Sequence, residues 1–318
     1  MISLKNVFQA YFKIKNYVRK TPLDFSPILS NIAETNVFLK LENYQVTGSF
    51  KIRGALNKII KNLNRAKKRG VITASTGNHG LAVAYASKIF NVKSKIIVAT
   101  NVSKVKLNKI KQYGPEIVFH GKDYDEAEEY AEKLAEQENL IYISPYNDLD
   151  IIEANATIAL EAFTDNPDID TFIVPIGGGG LISGIAFFSK KVSKDIEIIG
   201  VQSENSPAMY ESIKRGKIVR VPLKPSLADG LHGNVEENSI TFDFVQKYVD
   251  EIILVSEEDI RRAIKFSLEK LGILIEGSAA VTIASILNKK WKPDGKNMCL
   301  IISGGNIDIQ HVRDVFSR

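Results

Sequence analysis

Short apolar runs rich in β-branched residues recur along this chain, separated by longer stretches in which apolar positions return every three or four residues. The runs are Val71 to Ala74, Lys95 to Ala99, Ile117 to Phe119, Leu140 to Ile143, Thr171 to Pro175, Glu197 to Val201, Ile252 to Val255 and Met298 to Ile302. Their length and composition predict strands. Between them, Ile52, Ala55, Leu56, Ile59, Ile60 and Leu63 fall at i, i+3, i+4, i+7, i+8 and i+11, one face of a helix. Ile260, Ala263, Ile264, Leu268 and Leu271 repeat the pattern behind Ser256, a residue type that starts helices. Alternating strands and helices predict an α/β fold of parallel sheets joined by crossover helices. The runs divide into two groups of four around the helical segment Ile151 to Phe163. Two lobes of open parallel sheet, with helices on both faces, are therefore expected, and ligands of such sheets bind beyond the carboxyl ends of the strands.

Length agrees with this division, because 318 residues at about 150 per domain suit two domains. A content of 44% hydrophobic and 25% charged residues is ordinary for a folded protein and excludes disordered, collagen-like and disulfide-stapled chains. The net charge of +5 is small and scattered, with the acidic stretch Asp123 to Glu138 offsetting nearby lysines, so nucleic acid is not an expected partner. Lysines interrupt the apolar residues of Met1 to Lys20, and no run approaches the ~18 apolar residues of a membrane span. Neither a signal peptide nor a membrane is expected, and the location is expected to be cytoplasmic. The one cysteine, Cys299, lies inside a strand candidate and reads as a buried, inert thiol. His79, His120, His232 and His311 lack ligand spacing with one another or with that cysteine, so no metal site is expected.

Three loops sit where strand candidates end. Gly177-Gly178-Gly179-Gly180 follows Thr171 to Ile176 and precedes a helical pattern from Leu181. Consecutive backbone N–H groups can turn toward an anion there, helped by the positive end of the helix. A tight turn is the alternative, although one or two glycines would be enough for it. Position 182 is Ile, so the dinucleotide pattern fails, and no Lys-Ser or Lys-Thr pair follows for a P-loop. A small phosphorylated cofactor is favoured over a nucleotide. Ser75-Thr76-Gly77-Asn78-His79-Gly80 follows Val71 to Ala74 and opens the helix holding Leu81 and Tyr85. It suits a carboxylate, with an ordinary N-cap loop as the alternative. Ser303-Gly304-Gly305-Asn306 closes the last strand candidate and presents a hydroxyl. Finally, Ser49-Phe50-Lys51 opens the Ile52 helix, with Ser49 placed to cap it. A cation there is disfavoured by roughly 0.3–1 kcal/mol, so the dipole favours a neutral Lys51 amine, the form that condenses with an aldehyde. A solvated surface lysine is the bland alternative.

Ser49-Phe50-Lys51-Ile52-Arg53-Gly54-Ala55, the Ser75 to Gly80 loop, the tetraglycine and Ser303-Gly304-Gly305 together resemble the fold-type II pyridoxal-phosphate enzymes, with their tryptophan synthase β-like architecture. Among these, the chain is most similar to the serine/threonine dehydratases, relatives of serine racemase. Leu39-Lys40-Leu41-Glu42-Asn43 and Val255-Ser256-Glu257-Glu258 extend the resemblance. It implies pyridoxal 5'-phosphate carried covalently by Lys51, with Phe50 near its ring and Asn78 on its ring hydroxyl. Gly177 to Gly180 and Leu181 would bind the phosphate, and Ser303 would face the pyridine nitrogen. Ser75, Thr76, Gly77, Asn78 and His79 would surround the substrate carboxylate. The implied reaction is α,β-elimination from L-threonine or L-serine, with Lys51 taking the Cα proton, to give a 2-oxo acid and ammonia. A serine hydroxyl cannot stabilise a protonated pyridinium as a carboxylate does, so little carbanion is expected to accumulate. The implied domains are a large lobe of residues 1–49 and 146–318 and a small lobe of residues 50–145, with the cofactor between them. The implied assembly is a homodimer or homotetramer.

The chain departs from the pattern in places. Metal-activated relatives carry carboxylates where Gln202 and Ala208 stand, so a divalent site is expected to be lost. Thr76 matches the hydroxyl residue that racemases use as a second acid/base, whereas many dehydratases have alanine, so racemization stays open. The segment Ala228 to Val235 drifts from the commonest dehydratase form, which leaves 3-hydroxyaspartate open as substrate. His232 could then meet a second carboxylate or serve only as a loop residue. Glu276-Gly277-Ser278 resembles a segment near the cofactor, with helix capping as the equal alternative. The chain ends soon after Ser303, so the regulatory domain of biosynthetic threonine dehydratases is expected to be absent. From a different class, a non-catalytic phosphate-ligand binding module is the remaining alternative.

Overall fold

The computed structural model describes residues 2–100, 102, 104–289 and 295–317, with the side chains of Lys104 and His311 outside the description. Its strands are β1 Leu23–Phe25, β2 Asn36–Lys40, β3 Val71–Ala74, β4 Ser94–Val98, β5 Glu116–Phe119, β6 Ile141–Tyr142, β7 Thr171–Pro175, β8 Glu197–Ser203, β9 Glu251–Val255 and β10 Asn297–Ile301. A four-stranded parallel sheet has the order β5-β4-β3-β6. A six-stranded sheet has the order β1-β2-β10-β7-β8-β9, parallel except for β1 on β2. The expected division into four and four is thus corrected by two added strands. β1 is short and mostly exposed, and β2 ends in Lys40, whose charge hides a position that is wholly buried.

Both faces of the large sheet are covered, which is why its strands read as continuous apolar runs rather than alternating ones. Phe172, Val174, Cys299 and Ile301 pack on one side, whereas Ile173, Met298 and Leu300 pack on the other. Burial pushes the Cys299 thiol up to about 12, in keeping with an inert strand residue.

Three helical readings need correction. The face running from Ile52 to Leu63 breaks at Asn62 into helices Lys51–Lys61 and Leu63–Arg69. The segment Ile151 to Phe163 is two helices, Leu149–Asn155 and Thr157–Asp165. Ser256 does cap a helix, in a capping box with Asp259, but that α-helix ends at Phe266 and continues as a π turn over Ser267–Leu271.

Ser49 does not cap the Lys51 helix. Phe50 holds the cap position without a side-chain bond, and the Ser49 hydroxyl is buried with no partner. The reason is tertiary: Ser49 forms an antiparallel β-bridge with Gly304, and the Phe50 N–H donates to the Ser303 carbonyl at 3.1 Å. The chain leading into Lys51 is therefore clamped against the loop after β10.

Behind this clamp lies a buried ion cluster. Arg53 Nε and Nη2 donate to the two Glu42 carboxylate oxygens at 2.8 Å each, while Nη1 and Nη2 reach Glu161 at 2.7 and 2.8 Å. Lys40 Nζ donates to Glu161 at 2.8 Å. Two cations face two anions, so the charges cancel where water is excluded.

Candidate active site

Lys51 is the first residue of its helix, and its Nζ donates to the Pro145 carbonyl at 2.8 Å. Burial lowers the amine to about 8, against the opposing pull of the Glu276 and Glu128 charges. Desolvation is therefore the main reason the neutral amine is accessible, where the sequence pointed only to the helix dipole. The Phe50 ring lies 5.1 Å from this nitrogen.

The loop after β3 becomes the start of helix Asn78–Phe90, with Gly77 at the cap position. A Cβ at Gly80 would come within 2.4 Å of the Ser75 carbonyl oxygen, so this tight turn requires glycine. The first N–H groups of the helix have no intrahelical partners and remain available to an anion. The His79 side chain has a partner within the protein. Its Nε2 pairs with the Ile143 carbonyl oxygen at 2.9 Å, and burial together with Lys51 keeps the ring neutral down to about 3. The imidazole is structural, so only the main chain of His79 is left for a substrate carboxylate.

The tetraglycine joins β7 to helix Gly180–Val192, with Gly179 left-handed at φ +88°. A Cβ on Gly178 would come within 2.5 Å of the Tyr146 ring, and one on Gly180 within 2.8 Å of Tyr146 Cα. The Gly178 carbonyl accepts from Thr241 Oγ1 at 2.6 Å and the Gly180 carbonyl from Asn155 Nδ2 at 3.0 Å. Neither Thr241 nor Asn155 lines the cavity, so these carbonyls are engaged elsewhere. The N–H groups of Gly179, Gly180 and Leu181 are among those the helix cannot satisfy itself.

These pieces converge. Phe50, Lys51, Ser75, Thr76, Gly77, Asn78, His79, the tetraglycine, Leu181 and Ser303 all border one cavity of about 320 Å³. A buried amine, an anion cradle that side chains would fill and a serine hydroxyl together fit a phosphorylated aldehyde cofactor.

The cavity also holds residues to which the sequence alone assigned no fixed role. Asn306 Nδ2 donates to Asn78 Oδ1 at 2.8 Å, and Asn78 Nδ2 donates to Glu276 Oε1 at 2.7 Å. Glu276 stands at the N-cap of helix Gly277–Leu287 but makes no capping bond, which decides between its two readings. Burial, with Asp229 adding to it, raises its carboxyl to about 7. Lys106 pairs with Asp229 across the cavity rim, and Lys109 reaches Asn306 Oδ1 at 3.5 Å. Tyr124 also lines the cavity, and behind the lining it and Tyr142 donate to Glu128, whose carboxyl burial raises to about 7. Asn306 was signalled by its place in the Ser303 loop, Glu276 by the segment Glu276-Gly277-Ser278 and Asp229 by the segment Ala228 to Val235; Lys106, Lys109, Tyr124, Tyr142 and Glu128 lie outside any motif.

Gln202 uses its amide locally, accepting from the Tyr210 N–H at 2.7 Å and donating to the Ser206 carbonyl at 3.4 Å. Ala208 is buried beside it. Among the described residues, no group of three or more His, Cys, Asp or Glu is arranged to hold a metal ion.

A family model described as pyridoxal-phosphate dependent enzyme matches residues 14–304. An L-threonine ammonia-lyase of Thermotoga maritima is 41% identical over 318 residues, covering 100% of this chain and 79% of that protein. A catabolic L-threonine dehydratase of Staphylococcus aureus is 40% identical, covering 99% of this chain and 92% of that protein. Maize serine racemase superposes with a TM-score of 0.93 at 31% identity, covering 99% of this chain and 97% of that one. The fold, the cofactor-shaped cavity and these matches agree: this chain belongs to the family of pyridoxal-phosphate dependent enzymes of fold type II.

Proposed function

We propose that the chain is a pyridoxal-phosphate-dependent ammonia-lyase that converts L-threonine, L-serine or both to a 2-oxo acid and ammonia. The observation that carries this reading is the half-buried Lys51, its amine bonded to the Pro145 carbonyl, in a cavity bordered by two helix N-termini. The threonine-specific names of the two relatives support the choice of substrate. Lys51, Asn78, Gly177 to Leu181 and Ser303 hold the cofactor, which when bound supplies the electron sink that makes the substrate Cα proton acidic. Helix N–H groups and hydroxyls of Ser75 to His79 orient the substrate carboxylate. Lys51 Nζ, its pKa lowered to about 8 by burial, takes the Cα proton in its free, unprotonated amine form. Loss of the β-hydroxyl leaves an enamine, which tautomerises and is hydrolysed to the 2-oxo acid and ammonia.

The residue division proposed for the lobes, 1–49 with 146–318 against 50–145, is supported by the segregation of β3 to β6 from the six-stranded sheet. A homodimer or homotetramer is supported by Leu4, Phe8 and Phe12, apolar residues exposed at i, i+4 and i+8 on helix Leu4–Ile14. No described helix is long and apolar enough to cross a membrane. A cytoplasmic location is supported by the single, buried, unpaired cysteine.

Racemization is the second reading, favoured by the Thr76 hydroxyl residue on the cavity wall. The purified protein is expected to be yellow, with the chromophore fixed to Lys51 by borohydride, and to release 2-oxo acid and ammonia from L-threonine or L-serine. Lys51→Ala should abolish turnover and leave the fold intact, because alanine is a good helix former. Chiral analysis of the remaining amino acid separates racemization from elimination. A colourless protein that takes up no cofactor would remove the reading, and a yellow one inert to both amino acids would remove the substrate.

A further inference from the structure

Asn78 has four hydrogen-bonding positions, two donors on Nδ2 and two lone pairs on Oδ1. Its Oδ1 accepts from Asn306 Nδ2 at 2.8 Å and its Nδ2 donates to Glu276 Oε1 at 2.7 Å. The direction of this chain is set outside Asn78. Asn306 Nδ2 also donates to the Thr47 carbonyl at 2.8 Å, and a carbonyl oxygen can only accept. Flipping the Asn306 amide would set oxygen against oxygen, so Asn306 must present N–H to Asn78. At the other end, Glu276 accepts twice, from Asn78 on Oε1 and from the Asn306 main-chain N–H on Oε2 at 3.2 Å. Only an ionised carboxylate offers an acceptor on both oxygens without a proton of its own. With one N–H committed to Glu276 and Oδ1 facing Asn306, Asn78 has one N–H left, and the residue lines the cavity.

We propose that Glu276 is a positioning residue: through its two accepted bonds it holds the Asn78 amide so that an N–H, not the carbonyl, faces the cofactor's ring oxygen. The inference rests on the cofactor reading above and adds a requirement on Glu276, which does not itself touch the ring oxygen. Fixed in this way, the Nδ2 side of Asn78 favours an ionised ring oxygen, because its free N–H can only donate. The loop is built tightly around the carboxylate. Gly304 lies so close that a Cβ there would be 2.6 Å from Glu276 Oε1, and the Glu276 N–H donates to the Gly304 carbonyl at 3.1 Å. The charged groups around Glu276 are Asp229 on the turn before Leu231, Lys106 on helix Lys104–Lys111 and Lys51 at the head of its own helix. Burial and Asp229 place the carboxyl near 7, so its proton is exchanged within the working range of pH. A protonated Glu276 has one fewer free acceptor, and the same is true of glutamine.

The test compares wild-type and Glu276→Gln holoenzymes by visible absorption from pH 6 to 9, with cofactor retention on dilution and thermal melting alongside. The wild-type band is expected to shift on acidification through about pH 7. The Glu276→Gln band should stay near the acid form across the range, with cofactor binding about tenfold weaker, the equivalent of about 1.4 kcal/mol for one hydrogen bond. If Glu276→Gln does not fold, Asn306→Ala cuts the same chain at its other link and should shift the band in the same direction. A variant whose band, pH response and cofactor retention match the wild type would overturn the proposal, even with a lowered melting temperature. A colourless wild-type protein would instead overturn the cofactor reading itself.

Discussion

Replacing Arg53 by methionine tests the buried ion cluster. The wild-type cluster holds Arg53 and Lys40 against Glu42 and Glu161, all wholly or almost wholly buried. Methionine fills much of the same space but deletes the four charge-assisted bonds to Glu42 and Glu161, leaving one uncompensated negative charge. Removing one partner of a buried pair costs about 3–5 kcal/mol, a large share of a typical folding free energy of about 5–15 kcal/mol. The pH dependence follows from Glu42. Burial alone would raise its carboxyl, but Arg53 outweighs burial and holds it below the usual value. In the wild type, this stabilisation is present above the ordinary carboxylate pKa and is lost as pH falls through the lower folded value. Without Arg53, burial prevails, the folded variant holds a proton that the unfolded chain releases, and stability falls as pH rises past that ordinary pKa. The deficit of Arg53→Met should therefore be larger at pH 8 than at pH 5 in urea unfolding. Adding Glu42→Gln should recover part of it. A loss below about 1 kcal/mol at pH 8, within the range of ordinary surface changes, would refute the reasoning. So would a deficit that grows on acidification.

Gly178→Ala would put a methyl 2.5 Å from the Tyr146 ring, which the Glu236 N–H holds through the Tyr146 hydroxyl at 3.1 Å. Overpacking of about 1–3 kcal/mol should appear in the melting curve, together with weaker cofactor retention. For His79, burial holds the folded ring neutral down to about 3, so the unfolded chain binds the extra proton as pH falls below the ordinary imidazole pKa. Stability on the order of 4 kcal/mol is therefore lost between about pH 6.5 and 3. His79→Gln should flatten that limb in unfolding curves taken across this range; an unchanged slope would contradict the burial account. Because burial lowers the Lys51 amine to about 8, cofactor uptake by the apoprotein should quicken with pH and level off above about 8. Stopped-flow absorbance would detect a rise continuing toward pH 10.5, the mark of an ordinary lysine.

Much of this was legible in the chain, and the parts that were not share a cause. Local spacing located the strands from β3 to β10 to within about two residues, and glycine chemistry located both anion loops. Lys40, by contrast, reads as a surface residue until Glu161 is brought to it from 121 positions away. Ser49 reads as a helix cap until the loop at Gly304 pairs with it and takes its backbone. His79 sits beside the anion loop in sequence, but its side chain is claimed by Ile143. Glu276 offered two readings because capping is a local property, whereas its bonds to Asn78 and Asn306 span 198 and 30 positions. Each miss lies where a distant partner overrode a local preference.

The placement of β10 also governs how the molecule can come into being. This strand is the last in chain order, yet it lies between β2 and β7 at the middle of the large sheet. During synthesis, the β1–β2 pair and the β7–β9 array must wait as separate pieces, each with an open edge, until β10 emerges and wedges between them. Ser303, two residues past that wedge, arrives at the same moment and clamps the segment leading to Lys51. A nascent chain thus has no finished pocket in which to trap a reactive aldehyde, and loss of β10 would leave two sticky half-sheets rather than a weakened enzyme.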